Sequence, residues 1–237
     1  MCSVFSGRVK QTPTLDGVAY LISKPHLKMR YKMRPVRCSQ QAVPLRTLHE
    51  ALPASNRRDR LYIAAGLACS VIQYHGNWLK PQWSCCDIHL PTEYNGDADT
   101  PPENLYISWP LESQLLPLDH INNSSTPLIR NHILFPLALA LTELSLGKTL
   151  VSLQVPEDDK GDIASTQFHT ALRLLSKVYR ESGSNYHDAV HTCLFWPSVD
   201  GPCFGNEHFE EKVFSAVVAP LLRDLVHFYD PTRGAPG

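Results

Sequence analysis

The sequence predicts a mainly helical α+β domain. Three observations predict it. Apolar residues recur at helical spacing in several stretches between residues 44 and 229, the alternating segments that suit strands are short and lie towards the front, and no internal repeat divides the chain. With 237 residues, 43% hydrophobic and 19% charged, the chain can bury a core without disulfide staples.

From the front, residues 18–22 follow Asp16-Gly17 and are rich in strand formers. Residues 27–34 alternate apolar and cationic side chains, which puts Lys28, Arg30, Lys32 and Arg34 on one face of a strand. Such charges suit a solvated edge that resists pairing with another edge. Residues 44–52 read as a short helix closed by Pro53. A longer helix follows over 57–76: Asn56 with Asp59 three residues on makes its start, Leu61, Ala64, Ala65, Leu67, Ala68, Val71, Ile72 and His75 recur at helical spacing, and Gly76 supplies the stop. Residues 86–90 and 105–109 read as short strands around an exposed Pro/Asp/Asn/Gly-rich loop at 91–104.

Residues 133–146 form the longest apolar run, 14 residues including Glu143. It is too short to span a bilayer and reads as an enclosed helix ended by Gly147. An amphipathic helix over 164–181 should turn Phe168, Ala171, Leu172, Leu175, Val178 and Tyr179 inward. Asn185 should cap a shorter helix carrying Tyr186, Ala189, Val190, Cys193 and Leu194, with Pro197 ending it. Asn206 should open the last helix, with Glu207, Glu210 and Glu211 favouring its dipole and Pro220 kinking it. The expected organisation is a basic strand segment at 1–43, a helical domain at 44–230 and a tail at 231–237.

Charge is distributed unevenly. Residues 1–60 hold 12 Lys+Arg and 3 Asp+Glu, leaving 10 and 20 for the other 177. The total of −1 argues against a bulk nucleic-acid binder, while the polarity leaves room for a basic partner-binding face. No signal-peptide pattern opens the chain, and seven cysteines without a Cys-x-x-Cys pair suit reduced thiols, so a cytoplasmic location is expected. The sequons at Asn122 and Asn123 carry no weight without secretion.

The order of motifs carries a resemblance. Leu45-x-x-Leu48-x-x-x-Leu52, then Arg57-Arg58-Asp59-Arg60-Leu61-x-Ile63-Ala64-x-Gly66-Leu67-Ala68-x-x-Val71-x-x-x-His75, then Asp87-Ile88-His89-Leu90, resembles the start of a protein-kinase C-lobe. In that likeness 134–147 corresponds to the central buried helix, 185–197 to a later helix and 207–229 to the closing one. The chain is similar, more closely, to a fungal family of uncharacterised kinase-like domains. There the Arg-Leu helix, the paired tryptophans, the Asp-Ile step and the Tyr186-x-x-Ala189-Val190-x-x-Cys193-Leu194 segment recur. The resemblance covers about residues 44–229. It implies a kinase C-lobe-like domain with the N-lobe absent or truncated, placed in fungal signalling or nonself recognition.

The parts of a kinase that handle phosphate are missing from the sequence. It contains no Gly-x-Gly-x-x-Gly, no His-Arg-Asp and no Asp-Phe-Gly, and only some 43 residues precede the first lobe-like helix. Without those groups nothing would balance the charge of a transferred phosphoryl group. The expectation is therefore a pseudokinase-like, non-catalytic interaction domain, with a protein partner and no nucleotide, cofactor, catalytic residue or metal ligand assigned.

Two other chemistries compete. His187 and His191 stand at i and i+4 with Cys193, Cys203 and His208 nearby, enough nitrogen and sulfur donors for zinc in a metal-dependent enzyme or zinc-stabilised fold. Yet Cys193 lies about 200° round the helix from His191, and surface histidines beside a buried cysteine explain the same pattern. Asp87 beside Cys85, Cys86 and His89 could pair a thiol with a base, but neighbours on a strand alternate faces. Trp78, Trp83, Trp109 and Trp196 read as packing anchors.

Overall fold

The computed structural model describes residues 19–22, 30–33, 44–73, 83–92, 105–107, 129–196 and 207–229. The cationic side chains of 27–34, Gly76, Trp78, Trp109, most of the 91–104 loop, the sequons, Pro197, Cys203, Asn206 and the tail lie outside what is described. The chain divides into two units, Met1–Val43 and Pro44–Gly237.

In the first unit, β1 (Ala19–Ile22) pairs antiparallel with β2 (Arg30–Met33), Ala19 opposite Met33 and Ile22 opposite Arg30. The second unit is mostly helical. It carries a three-stranded antiparallel sheet of β3 (Leu45–Thr47), β4 (Ile88–Pro91) and β5 (Tyr106–Ile107), with β4 central. On β4, Ile88 and Leu90 are buried while His89 and Pro91 are partly open, the alternation a one-sided sheet requires.

The short helix expected over 44–52 is instead a strand followed by one helical turn. Residues 45–47 pair with β4, Thr47 opposite His89, and only then does α1 (Leu48–Ala51) begin, running into a 3-10 turn over Leu52–Ala54. The boundary is set by a capping box. Thr47 Oγ1 accepts the Glu50 N–H at 3.2 Å, and Glu50 Oε2 accepts the Thr47 N–H at 3.0 Å.

The next helix, α2 (Arg57–Gln73), begins where the sequence places it, Asn56 Oδ1 accepting the Asp59 N–H at 2.9 Å. It packs against α3 (Leu134–Leu146), which buries Leu134, Leu137, Ala138, Leu141 and Leu144 completely. Asn131 closes the front of α3 by accepting the N–H groups of Ile133 and Leu134, both at 2.9 Å. Gly147 closes the back in the left-handed conformation, φ 61°. A short turn, α4 (Leu150–Leu153), and a 3-10 turn over Pro156–Asp158 lead to α5 (Ile163–Ser182), started by Asp162 accepting the Ser165 N–H at 2.8 Å.

Helix α5 buries Phe168, Ala171, Leu174, Leu175 and Val178, but Leu172 and Tyr179 are exposed rather than inward. They stand about 100° and 80° round from Ala171, beyond the edge of a stripe whose other edge is Leu174. Gly183, φ 90°, ends α5 and passes directly into α6 (Ser184–Leu194). Asn185 therefore sits inside the helix and is no cap. Its amide donates to Asp224 Oδ1 at 2.7 Å instead. Tyr186, Ala189, Val190, Cys193 and Leu194 are buried as the spacing predicts.

The last segment is α7 (Glu207–Val213), a π-helical turn over Phe214–Val218, and α8 (Ala219–Tyr229). Pro220 has no N–H to offer the preceding turn. The chain meets that loss with the wider turn, in which the Ala219 N–H reaches the Phe214 carbonyl. The core of the helical unit gathers on α2, α3, α5, α6 and the π-helical turn, with Trp83 and Trp196 buried in it.

Candidate functional site

The π-helical turn has a consequence for the surface. In an unbroken α-helix Phe214 would stand about 80° round from Leu222. The wider turn brings it onto the same wall, so that Phe214, Ala219, Leu222 and Val226 line one apolar groove of about 260 Å³ bordered by Arg223 and His227. Phe214 is 50% and Val226 55% exposed. Phe228, also exposed, belongs to a second cleft on the other side of His227.

That second cleft, again of about 260 Å³, lies between the first turns of α2, the ends of α3 and α5, the start of α6 and the side of α8. Its lining joins Arg57, Arg60, Ser145, Ser182, Asp224 and His227 to the apolar walls of Leu61, Leu144 and Phe228. The polar groups are held from behind. Ser145 and Ser182 share a hydroxyl–hydroxyl hydrogen bond at 2.7 Å. Tyr186, also in the lining, donates its hydroxyl to the Leu141 carbonyl at 2.8 Å, and burial pushes its pKa up. Arg60 Nη1 donates to the Ser55 carbonyl at 2.7 Å, while its Nε is enclosed with no acceptor. Asp224 accepts from Asn185 through Oδ1, while its enclosed Oδ2 has no donor, and burial raises its pKa.

The residues singled out from sequence are scattered. His187 and His191 do stack, ring centroids 6.0 Å apart, but His187 Nδ1 faces Asp188 Oδ1 at 3.0 Å and His191 lies on Phe195 at 4.7 Å. Cys193 is buried in the core, where desolvation pushes its pKa well up, and His208 is exposed on α7. Among the described residues no group of three or more His, Cys, Asp or Glu converges on one point.

The thiol candidates stand in different settings. Cys85 is buried, and burial together with the nearby Glu143 raises its pKa, the reverse of what a thiolate nucleophile needs. Cys86 is exposed. Asp87 closes a tight turn, its Oδ2 accepting the Ser84 N–H at 2.9 Å. Of the four tryptophans, Trp83 and Trp196 are buried, and Trp196 packs edge-on against Phe209 at 5.3 Å.

Sequence reasoning missed the cleft. Arg57 and Arg60 are visible as an i,i+3 pair beside a helix cap, but the groups they meet come from positions 145, 182 and 224, which no local pattern links. No helix among the described residues is long and apolar enough to cross a membrane.

No curated protein and no solved structure matches the chain. Residues 22–228 match the family model described as Domain of unknown function (DUF7580), and the chain belongs to that family.

Proposed function

We propose that the chain is a non-catalytic, pseudokinase-like domain that binds another protein through the apolar wall of its last helix. The observation that carries this reading is the groove of Phe214, Leu222 and Val226. Half-exposed aromatic and branched side chains lining one concavity suit a partner's apolar anchor better than water. The packing of α2 against α3 within the helical unit is in keeping with the likeness to a kinase C-lobe. A role in fungal signalling or nonself recognition rests on the ordered residue set alone. The uneven charge, basic before residue 60 and acidic after it, would steer a partner's approach.

A photo-crosslinking side chain placed at Val226, in cells that naturally express the protein, tests the reading. A discrete protein adduct is expected, lost when Leu222→Asp is added. A crosslinker at Val151, exposed on α4, should not capture it. Equal adducts from both positions, or none from Val226, would contradict the proposal.

A further inference from the structure

The cleft behind His227 holds more unspent hydrogen-bonding capacity than a structural seam needs. The guanidinium of Arg60 spends one N–H on the Ser55 carbonyl and meets no carboxylate. Arg57, one turn back on the same face of α2, is exposed and acts on Asp224 across the cleft by charge alone. The Ser145–Ser182 pair uses one hydroxyl hydrogen between two oxygens, which leaves the other free to donate. Facing these donors, Asp224 keeps one oxygen without a partner. Leu61, Leu144 and Phe228 wall the space.

We infer that this cleft binds a small hydroxylated phosphomonoester, its phosphate between Arg57 and Arg60 and a ligand hydroxyl on Asp224. Two guanidinium groups decide for phosphate over carboxylate. A planar carboxylate is filled by one bidentate fork, whereas a phosphomonoester has three terminal oxygens for two arginines and a serine hydroxyl. The first turn of α2 adds the positive end of a 17-residue helix. Asp224 brings its unpartnered oxygen into the same lining, within electrostatic reach of Arg57, as an acceptor, which favours a ligand with a donor beyond its phosphate over a bare anion. Nothing in this inference depends on the apolar groove, and the two can fail separately.

Calorimetric titration of the full chain with glycerol 3-phosphate, inorganic phosphate and glycerate tests it. Saturable binding is expected for glycerol 3-phosphate, weaker binding for inorganic phosphate, and the weakest for glycerate. Arg57→Ala, at an exposed position, should weaken glycerol 3-phosphate about tenfold or more with the unliganded Tm unchanged. Asp224→Asn should remove the preference for glycerol 3-phosphate over inorganic phosphate. Arg60→Lys, which keeps a donor for the Ser55 carbonyl, serves where Arg60→Ala does not fold. No heat at about 10 mM ligand, binding undiminished in Arg57→Ala, glycerate binding as tightly, or a preference unmoved by Asp224→Asn would each overturn the assignment.

Discussion

Gly147 and Arg60 share one space. A β-carbon on Gly147 would stand 2.8 Å from Arg60 Nη1 and 3.1 Å from its Cζ, at a backbone φ of 61°. The glycine that ends α3 thus also makes room for the guanidinium that anchors the Ser55 carbonyl. Gly147→Ala should cost about 1–3 kcal/mol, from left-handed strain and from displacing Arg60. The fall in Tm should be about 2–12 °C. In an Arg60→Ala background the same change should cost less, because the steric part is gone. A double-mutant cycle showing additive effects would contradict the shared space.

Arg173 and Asp158 tie α5 to the turn before it. Arg173 Nη2 meets Asp158 Oδ2 at 2.7 Å, Nε meets Oδ1 at 2.9 Å, and Nη2 also donates to the Leu153 carbonyl at 2.7 Å. Asp158 further caps the turn by accepting the Val155 N–H. The carboxylate end is buried and the guanidinium end a third exposed, so screening discounts the pair. Asp158→Ala should destabilise by about 1–2 kcal/mol in urea titration. An unchanged midpoint would remove the tie from the account.

Acid should weaken the fold in a definite direction. The Arg173 guanidinium holds Asp158 far below the usual carboxylate range, and backbone N–H groups lower Asp162 and Glu50. Carboxyls with depressed folded-state pKa values contribute stability that is complete above their unfolded values and lost as pH falls through the folded ones. Stability should therefore hold above about pH 5 and decline below about pH 4. Asp158→Asn should flatten that decline. A variant with the wild-type acid profile would contradict the assignment.

Thiol reactivity should separate by burial. Cys86 is exposed, whereas Cys85 and Cys193 are buried with raised pKa values. Brief alkylation at neutral pH, mapped by mass spectrometry, should label Cys86 and leave Cys85 and Cys193 unmodified until the chain unfolds. Early modification of Cys193 would mean that α6 does not pack as described.

Tyr186 is the largest side chain in the fully buried core and carries its one polar atom to the Leu141 carbonyl. Tyr186→Phe should cost about 1 kcal/mol with an unchanged denaturant slope. A neutral result would show that the hydroxyl contributes shape and not bonding.

Legibility in the sequence followed the reach of each signal. Helices α2, α3 and α5 were readable because their caps and apolar residues lie within the element: Asn56, Gly147 and the Phe168–Ala171–Leu175–Val178 stripe. The strand at 45–47 was misread because its partner is β4, over forty residues away, although Thr47-x-x-Glu50 marks the boundary locally. Asn185 was misread because a helix can start from Gly183 without a side-chain cap, freeing the amide for Asp224. The π-helical turn before Pro220 and both clefts depend on packing among α2, α3, α6 and α8. A single-sequence pattern does not encode which helices meet.

Calorimetry with magnesium-ATP on the wild-type chain and on Arg57→Ala, in which the proposed anion binding at the α2 cleft should be weakened, tests the non-catalytic reading most directly. No binding heat and no rise in Tm are expected. Saturable binding with a rise of several degrees, and release of phosphate on incubation, would contradict it.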